Sequence, residues 1–329
     1  MLGPGRAGVM DLSDGERLFF TGPQALWFLD QLVTNQVKDL PIGGGAEALQ
    51  LTPKGRIVAA MRILHTSRGA LAQIEPGAEP LEEFFLQRVF TTRVRIEAVS
   101  THIGMVRILG PDARRMAAAA LGHDRLPEAE HSNVEVGSEL VVALAPPLEG
   151  FDLFIEREKV PATVDAVAGL GATLLSQADY DRHRVLAGVA RFGVDFGQVH
   201  LPQEAALERA VHFKKGCYLG QESVAMAQRG RVKRRMRHLR FEGPATVGRI
   251  IYEGADAGVV TSAARLNGGG FGIGTVSTAT PLGARVAVLG EGGAETSALV
   301  HELPATPSGP AVPSARELRE RLHGNASVP

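Results

Sequence analysis

The sequence predicts an α+β protein with antiparallel sheets covered on one face by helices, followed by a small all-β domain. Three observations carry this. Strand-like and helix-like periods alternate through the first half of the chain. An early pair of apolar runs joined by Pro53-Lys54-Gly55 reads as a hairpin, which argues against purely parallel winding. From Met236 to about His301 the helical period vanishes and short apolar runs alternate with glycine turns, the pattern of a small barrel or sandwich. At about 150 residues per domain, 329 residues suggest two or three domains.

The elements follow in order. Glu16 to Thr21 is a strand-like run closed by Gly22-Pro23, after which Ala25, Leu26, Leu29, Leu32 and Val33 recur at helical spacing through Val37. Ala46 to Thr52 and Arg56 to Thr66 are the hairpin strands, Ala70 to Glu75 a third strand, and Pro80 to Phe90 a helix with proline at its start. The grammar then repeats. Val94 to Val99 and Ile103 to Leu109 read as strands, Pro111 to Leu121 as an alanine-rich helix, Glu139 to Leu144 and Asp152 to Ile155 as strands, and Val160 to Leu170 as a helix ended by Gly171. Arg249 to Tyr252, Gly258 to Arg265, Gly274 to Val276 and Arg285 to Leu289 supply the β domain. Pro304 to Pro313 reads as a linker, and Ser314 with Glu317 forms a capping-box pattern ahead of a short helix, Arg316 to Leu322.

Composition narrows the function classes. With 35 Lys+Arg against 36 Asp+Glu the net charge is −1, which gives no global footprint for nucleic acid or an anionic membrane. The single cysteine, Cys217, excludes an intramolecular disulfide and fits a reducing compartment, so a cytoplasmic location is expected. Met1 to Asp14 shows no secretory or transit pattern, and the longest apolar runs fall well short of the roughly 20 residues that span a bilayer. No membrane partner is expected. A Walker loop is absent, and Gly270, Gly272 and Gly274 lie between strands, which reads as a hairpin turn rather than a dinucleotide fingerprint. The histidines form no short ligand spacing, so no metal site is expected.

The informative stretch is Phe213-Lys214-Lys215-Gly216-Cys217-Tyr218-Leu219-Gly220-Gln221-Glu222. Gln221 to Gln228 can form a helix, which places Cys217 just ahead of a helix N-terminus with Lys214 and Lys215 close in sequence. A positive helix end and ammonium groups both favour a thiolate, so Cys217 reads as a reactive cysteine. A buried cysteine packing as a small hydrophobe is the alternative. Downstream, Arg229, Arg231, Lys233, Arg234, Arg235, Arg237 and Arg240 form a basic run. It fits an anion-binding surface for RNA or a polyanionic ligand, or equally a solvated edge that resists aggregation, and the aromatics of a base-stacking platform are missing.

Lys215-Gly216-Cys217-Tyr218-Leu219-Gly220-Gln221-Glu222 resembles the K-G-C-[FY]-x-G-Q-E signature of the YgfZ family, folate-binding proteins that support iron–sulfur enzymes and are related to the T-protein aminomethyltransferase of glycine cleavage. Phe28 to Val37 with Leu51 to Arg56 is similar to that family's N-terminal block, and Arg184 to Gly188 followed by Leu201 to Glu204 to its central block, so the resemblance runs from about residue 9 to about residue 300.

The resemblance implies two interleaved ferredoxin-like α+β domains and a C-terminal small β-barrel around a central folate channel. The expected division is residues 1–110, shared in part with the central segment; 111–235, carrying the motif; 236–303, the barrel; and 304–329, linker and helix. It implies tetrahydrofolate as cofactor, client iron–sulfur enzymes as partners and Cys217 as the catalytic residue. It also implies a cofactor site drawn from Glu204, Arg184, Gly216, Tyr218, Gln221 and Glu222, with Glu204 accepting N–H donors from the pterin edge. Two departures stand out. Ala59 and Ala60 occupy the place where the transferases carry an acidic pair, and Leu186 replaces a glutamate common in relatives. The rival functions are a folate-dependent aminomethyltransferase, disfavoured by Ala59 and Ala60, and an RNA-binding or tRNA-modifying protein using the basic run.

Overall fold

Strand alternation sorts side chains onto opposite faces, and in this molecule it builds two facing sheets with helices on their outer sides. The computed structural model describes residues 7–230 and 232–304. The expected capping box and C-terminal helix, and most of the linker, lie outside the described residues.

The chain runs through β1 (Gly8–Asp11), β2 (Arg17–Thr21), α1 (Ala25–Leu32), β3 (Gly45–Leu51), β4 (Ile57–Thr66), β5 (Gly69–Ile74), α2 (Glu82–Leu86) and β6 (Arg95–Ala98). β2 to β6 form a five-stranded sheet in the order β3-β4-β5-β2-β6. On β4, Ala59, Met61 and Ile63 pack against α1 and α2 with Leu18, Phe20, Phe28, Leu29 and Phe85, while Ala60, Arg62 and Leu64 point the other way. α1 stops five residues short of the expected Val37, because Val33 turns extended and Thr34 N–H bonds Leu49 O, 3.0 Å, on β3. α2 is also shorter than the expected Pro80–Phe90. Its first N–H groups are capped at a distance by the Glu16 carboxylate, 2.6 Å from Leu81 N and 3.1 Å from Glu82 N.

β7 (Ile103–Leu109), α3 (Ala113–Leu121), β8 (Asn133–Val136), β9 (Glu139–Leu144), β10 (Gly150–Glu156), α4 (Val160–Gly169) and β11 (Thr173–Leu174) follow. They form a six-stranded sheet, β11-β1-β7-β10-β9-β8, in which β1 is inserted between β7 and β11. The change of sheet falls between β6 and β7, with β1 carried over into the second sheet. α3 and α4 cover the outer face through Met116, Ala117, Val160, Val164 and Val167, and the inner face meets the first sheet through Met105, Leu140, Val142 and Phe154 against Leu64 and Leu71. Burying these contiguous apolar faces at about 25 cal/mol per Å² is the main drive for stacking the sheets.

α5 (Gln177–Leu186), opened by a Ser176–Asp179 capping box, leads through an irregular segment to α6 (Gln221–Arg229). The barrel strands are β12 (Arg234–Phe241), β13 (Gly248–Tyr252), β14 (Ala255–Leu266), β15 (Gly269–Ser277), β16 (Arg285–Leu289) and β17 (Glu295–His301), closed in the order β12-β15-β14-β13-β16-β17. This is the α+β and C-terminal barrel architecture expected from the sequence. One detail is corrected: Gly270, Gly272 and Gly274 do not form the hairpin turn, which is Asn267-Gly268. They lie inside β15, where a Cβ on Gly272 would come within 2.9 Å of Phe241 and Val260 side chains.

Candidate functional site

Three stretches far apart in sequence meet around the loop that precedes α6. The Lys215 ammonium, buried, donates to the carbonyls of Asp30, Val33 (2.8 Å) and Asn35 (2.9 Å), with Asp30 Oδ2 at 3.7 Å. A cation at the end of α1 satisfies carbonyls that a helix leaves open and complements its negative end. Burial nonetheless pulls Lys215 down to about 8, with Asp30 opposing. Thr34 joins the same junction: its hydroxyl donates to Ala210 O, 2.6 Å, and accepts from Leu49 N, 2.8 Å.

The turn between β3 and β4 closes the junction from the other side. Gly220, at φ +82, sits where a Cβ would lie 2.5 Å from Thr52 O and 2.9 Å from Gly55 Cα. Only glycine allows the helix start and the turn to approach so closely. Thus Phe28–Val37, Leu51–Arg56 and the 215–222 motif, quoted separately in the sequence, form one packed unit.

The candidate residues fall into two groups. Tyr218 is buried, its hydroxyl pushed up to about 12 by burial, with the Lys215 ammonium 5.5 Å from its ring. Gln221 is half-buried in the first turn of α6, while Gly216, Cys217 and Glu222 are exposed. Cys217 lies three residues before Gly220, just ahead of α6, so the buried alternative for this thiol is set aside. The two ammonium groups expected beside it do not both arrive. Lys215 is turned inward to α1, leaving exposed Lys214 as the neighbouring cation in sequence.

Glu204 reaches the unit through Arg56. Its Oε2 accepts from Arg56 Nη1 and from Leu201 N, each 2.8 Å, and among the described residues Oε1 has no hydrogen-bond donor. Arg184 is placed elsewhere. Only 3% exposed, it donates to Asp181 (2.6 Å), Asp195 (2.7 Å), Val189 O (3.2 Å) and Ser262 (2.8 Å), bracing α5 against β14. Four of its hydrogen bonds thus serve the fold, at a place apart from the unit around Lys215 and Gly220.

Between the sheets lies a polar network that sequence reasoning did not find. Arg62 on β4 donates to Asp152 on β10, 2.6 Å; Arg107 on β7 holds the same carboxylate at 2.7 and 2.8 Å and reaches the Tyr180 hydroxyl at 2.7 Å. Burial raises the Asp152 carboxyl, and the two guanidiniums outweigh it, leaving the group at about 2. Nearby, Glu47, Glu130 and His131 bring ligand-type atoms within 4.8 Å of one another. Arg209 supplies the positive charge there, 2.6 Å from Glu47 and 3.3 Å from Glu130. In the basic run, Arg235 pairs with Glu208 (2.6 Å) and Arg237 with Glu302, whereas Arg229, Lys233, Arg234 and Arg240 are exposed.

Ala59 and Ala60 prove inequivalent. Ala59 is sealed under α1 and α2, whereas Ala60 faces the cluster of Leu49, Leu51, Phe192, Phe196, Tyr218, Met236 and Ile273, where both sheets' connecting segments and the barrel meet. Alternation at that hairpin, readable from the register, could have shown which alanine matters.

The family model described as the GCVT N-terminal domain matches residues 5–215. An aminomethyltransferase of Rubrobacter xylanophilus is 25% identical over 78% of this chain and 72% of its own length. The tRNA-modifying protein YgfZ of Serratia proteamaculans is 28% identical over 79% of this chain and 81% of its own. The crystal structure of glycine cleavage system aminomethyltransferase T from Bartonella henselae shares the fold, with a TM-score of 0.81 at 20% identity, covering 91% of this chain and 86% of that one. With its order of two sheets and a closed barrel, and with these homologues, the chain belongs to the family of the GCVT N-terminal domain, the YgfZ and aminomethyltransferase lineage.

Proposed function

We propose that the protein binds tetrahydrofolate and supports iron–sulfur enzymes, with Cys217 as its working thiol, and that it does not transfer aminomethyl groups. The observation that carries this reading is the unit built around Lys215 and Gly220: Lys215, Tyr218 and Gly220 are buried in it while Gly216, Cys217 and Glu222 are exposed, so an anchored base holds an exposed thiol. A thiol needed only for packing would be buried. Family membership supports the folate part, since relatives include aminomethyltransferases.

The residues present fit a pteridine. The cluster with Leu49, Leu51, Phe192, Phe196 and Tyr218 supplies apolar walls. Among the described residues no donor reaches Glu204 Oε1, so it can accept N–H groups from a ring edge while Arg56 holds the other oxygen in place. Bound folate would supply an N-linked carbon carrier; the chain's own part is to orient the ring and keep water from it. Ala60 leaves β4 without an acid on that face, so the carboxylate expected for aminomethyl transfer is missing from its own strand.

Titration of the purified protein with tetrahydrofolate tests the reading. Saturable binding is expected, weakened by about 1–3 kcal/mol in Glu204→Gln as a charge-assisted hydrogen bond is lost. With folate, carrier protein and an aminomethyl donor supplied, no turnover is expected. No binding, or robust turnover, refutes it.

A further inference from the structure

The carboxyl absent from Ala60 reappears one strand away. Met61 on β4 pairs with Ile74 on β5, so the next pair in the antiparallel register is Ala60 with Glu75, and Glu75 N–H donates to Ala60 O, 2.9 Å. Directly paired residues share a sheet face with Cβ atoms about 5 Å apart. Glu75 therefore stands beside Ala60 on the face that meets Phe192 and Phe196, not on the face under the helices. Its Oε2 accepts from Phe192 N, 3.2 Å, and among the described residues that is its single hydrogen-bond donor.

The Glu75 side chain is partly buried and short of protein donors. Glu75 is enclosed by protein yet keeps accessible surface, and the charges of Glu47, Arg107 and Arg209 all act on it. A carboxylate has about four acceptor positions, and here one is filled. Burial pushes the Glu75 carboxyl up from the usual range, with the Phe192 amide opposing, as expected for an anion short of donors. A ligand N–H arriving at this point would supply what the protein withholds.

Resting on the folate reading above, we infer that Glu75 is the residue that selects the reduced pteridine ring, its carboxylate accepting an N–H that the oxidised ring lacks. A tetrahydropterin carries N–H donors at N5 and N8, where the oxidised ring presents lone pairs. A carboxylate attracts the first and repels the second, so discrimination follows from charge and hydrogen-bond direction. The bland role, anchoring the Phe192 segment through one amide, predicts no dependence on the ligand's oxidation state.

The experiment measures dissociation constants of tetrahydrofolate and folic acid for the full chain and for Glu75→Gln, anaerobically at neutral pH. The amide keeps the size of the side chain and an acceptor for Phe192 N–H, so the unfolding midpoint should hold. The unmodified protein should prefer tetrahydrofolate, and Glu75→Gln should cut that preference about tenfold or more, chiefly by weakening tetrahydrofolate. In the double variant Glu75→Ala/Ala60→Asp the carboxyl moves back across the strand pair, and the preference should return. An unchanged preference in Glu75→Gln, with tetrahydrofolate still bound by the unmodified protein, overturns the role of Glu75 and leaves the folate reading intact. Failure of the unmodified protein to bind either pteridine overturns the folate reading and the inference with it.

Discussion

His131 shows how much a single side chain can tie stability to pH. It adopts φ 59 in the loop before β8, and its ring lies 3.7 Å from both Glu47 and Glu130. Burial, with Arg62 and Arg209 close by, pulls it down to about 3. An unfolded chain binds a proton at this residue near pH 6.5, while the folded one refuses it until about pH 3. The unfolded state therefore holds more protons across that window, and stability is lost as pH falls from 6.5 toward 3. His131→Asn, which tolerates the left-handed backbone, should flatten this loss by about 2 kcal/mol between pH 6.5 and 4. Denaturant unfolding at each pH checks it; an unchanged slope refutes it. At this scale the sequence is least legible. Glu75 is merely the last letter of a strand until the register sets it beside Ala60, and nothing in the sequence around Arg184 shows that Asp195 and Ser262 are its partners.

Elements were legible where their signal is local. The hairpin of β3 and β4, the helices α3 and α4 and four barrel strands fall within a few residues of where alternation and turn chemistry put them. β1 has no such signal, because its partners lie far away in the chain, whereas β8 and β17 each pair with the adjacent strand yet carry too little apolar alternation to stand out. α5 carries little apolar period because its sequence, QADYDRHRVL, is mostly polar, although Ser176 and Asp179 mark its start. The expected α1 overruns the observed helix because a helical period in the sequence does not show that Thr34 has a better partner in β3. Among turns, Gly220 carries the strongest constraint. Gly220→Ala should destabilise the protein by about 2–4 kcal/mol, from the left-handed backbone and the contact with Thr52 and Gly55 together. A chemical denaturation midpoint measures this, and a cost below about 0.5 kcal/mol would show that the turn and α6 can separate freely.

For the whole molecule, the fold class and the barrel were readable, whereas the way the sheets lock was not. The sheets face each other through apolar contacts and through one fully buried carboxylate, Asp152, held by Arg62 of the opposite sheet and Arg107 of its own. Asp152→Ala leaves two guanidiniums buried without their shared anion, which should cost about 3–5 kcal/mol, seen as an earlier unfolding midpoint. Joint replacement of Arg62, Arg107 and Asp152 by apolar residues of matched volume should cost far less. A small effect of Asp152→Ala alone would show that water reaches the interface.

The position of β1 has a consequence for the order in which the protein can be made. The strands at residues 17–98 complete their sheet among themselves, but residues 8–11 pair with 103–109 and with 173–174. Synthesised before the strands it pairs with, this segment finds no partner until about a hundred further residues have been added. At 5–20 residues per second it waits several seconds. During that interval Val9 and Met10, buried in the finished protein, are open to other chains or to a chaperone. The first sheet can mature while the opening strand stays unpaired, and the second sheet closes only when synthesis has carried the chain past Leu174.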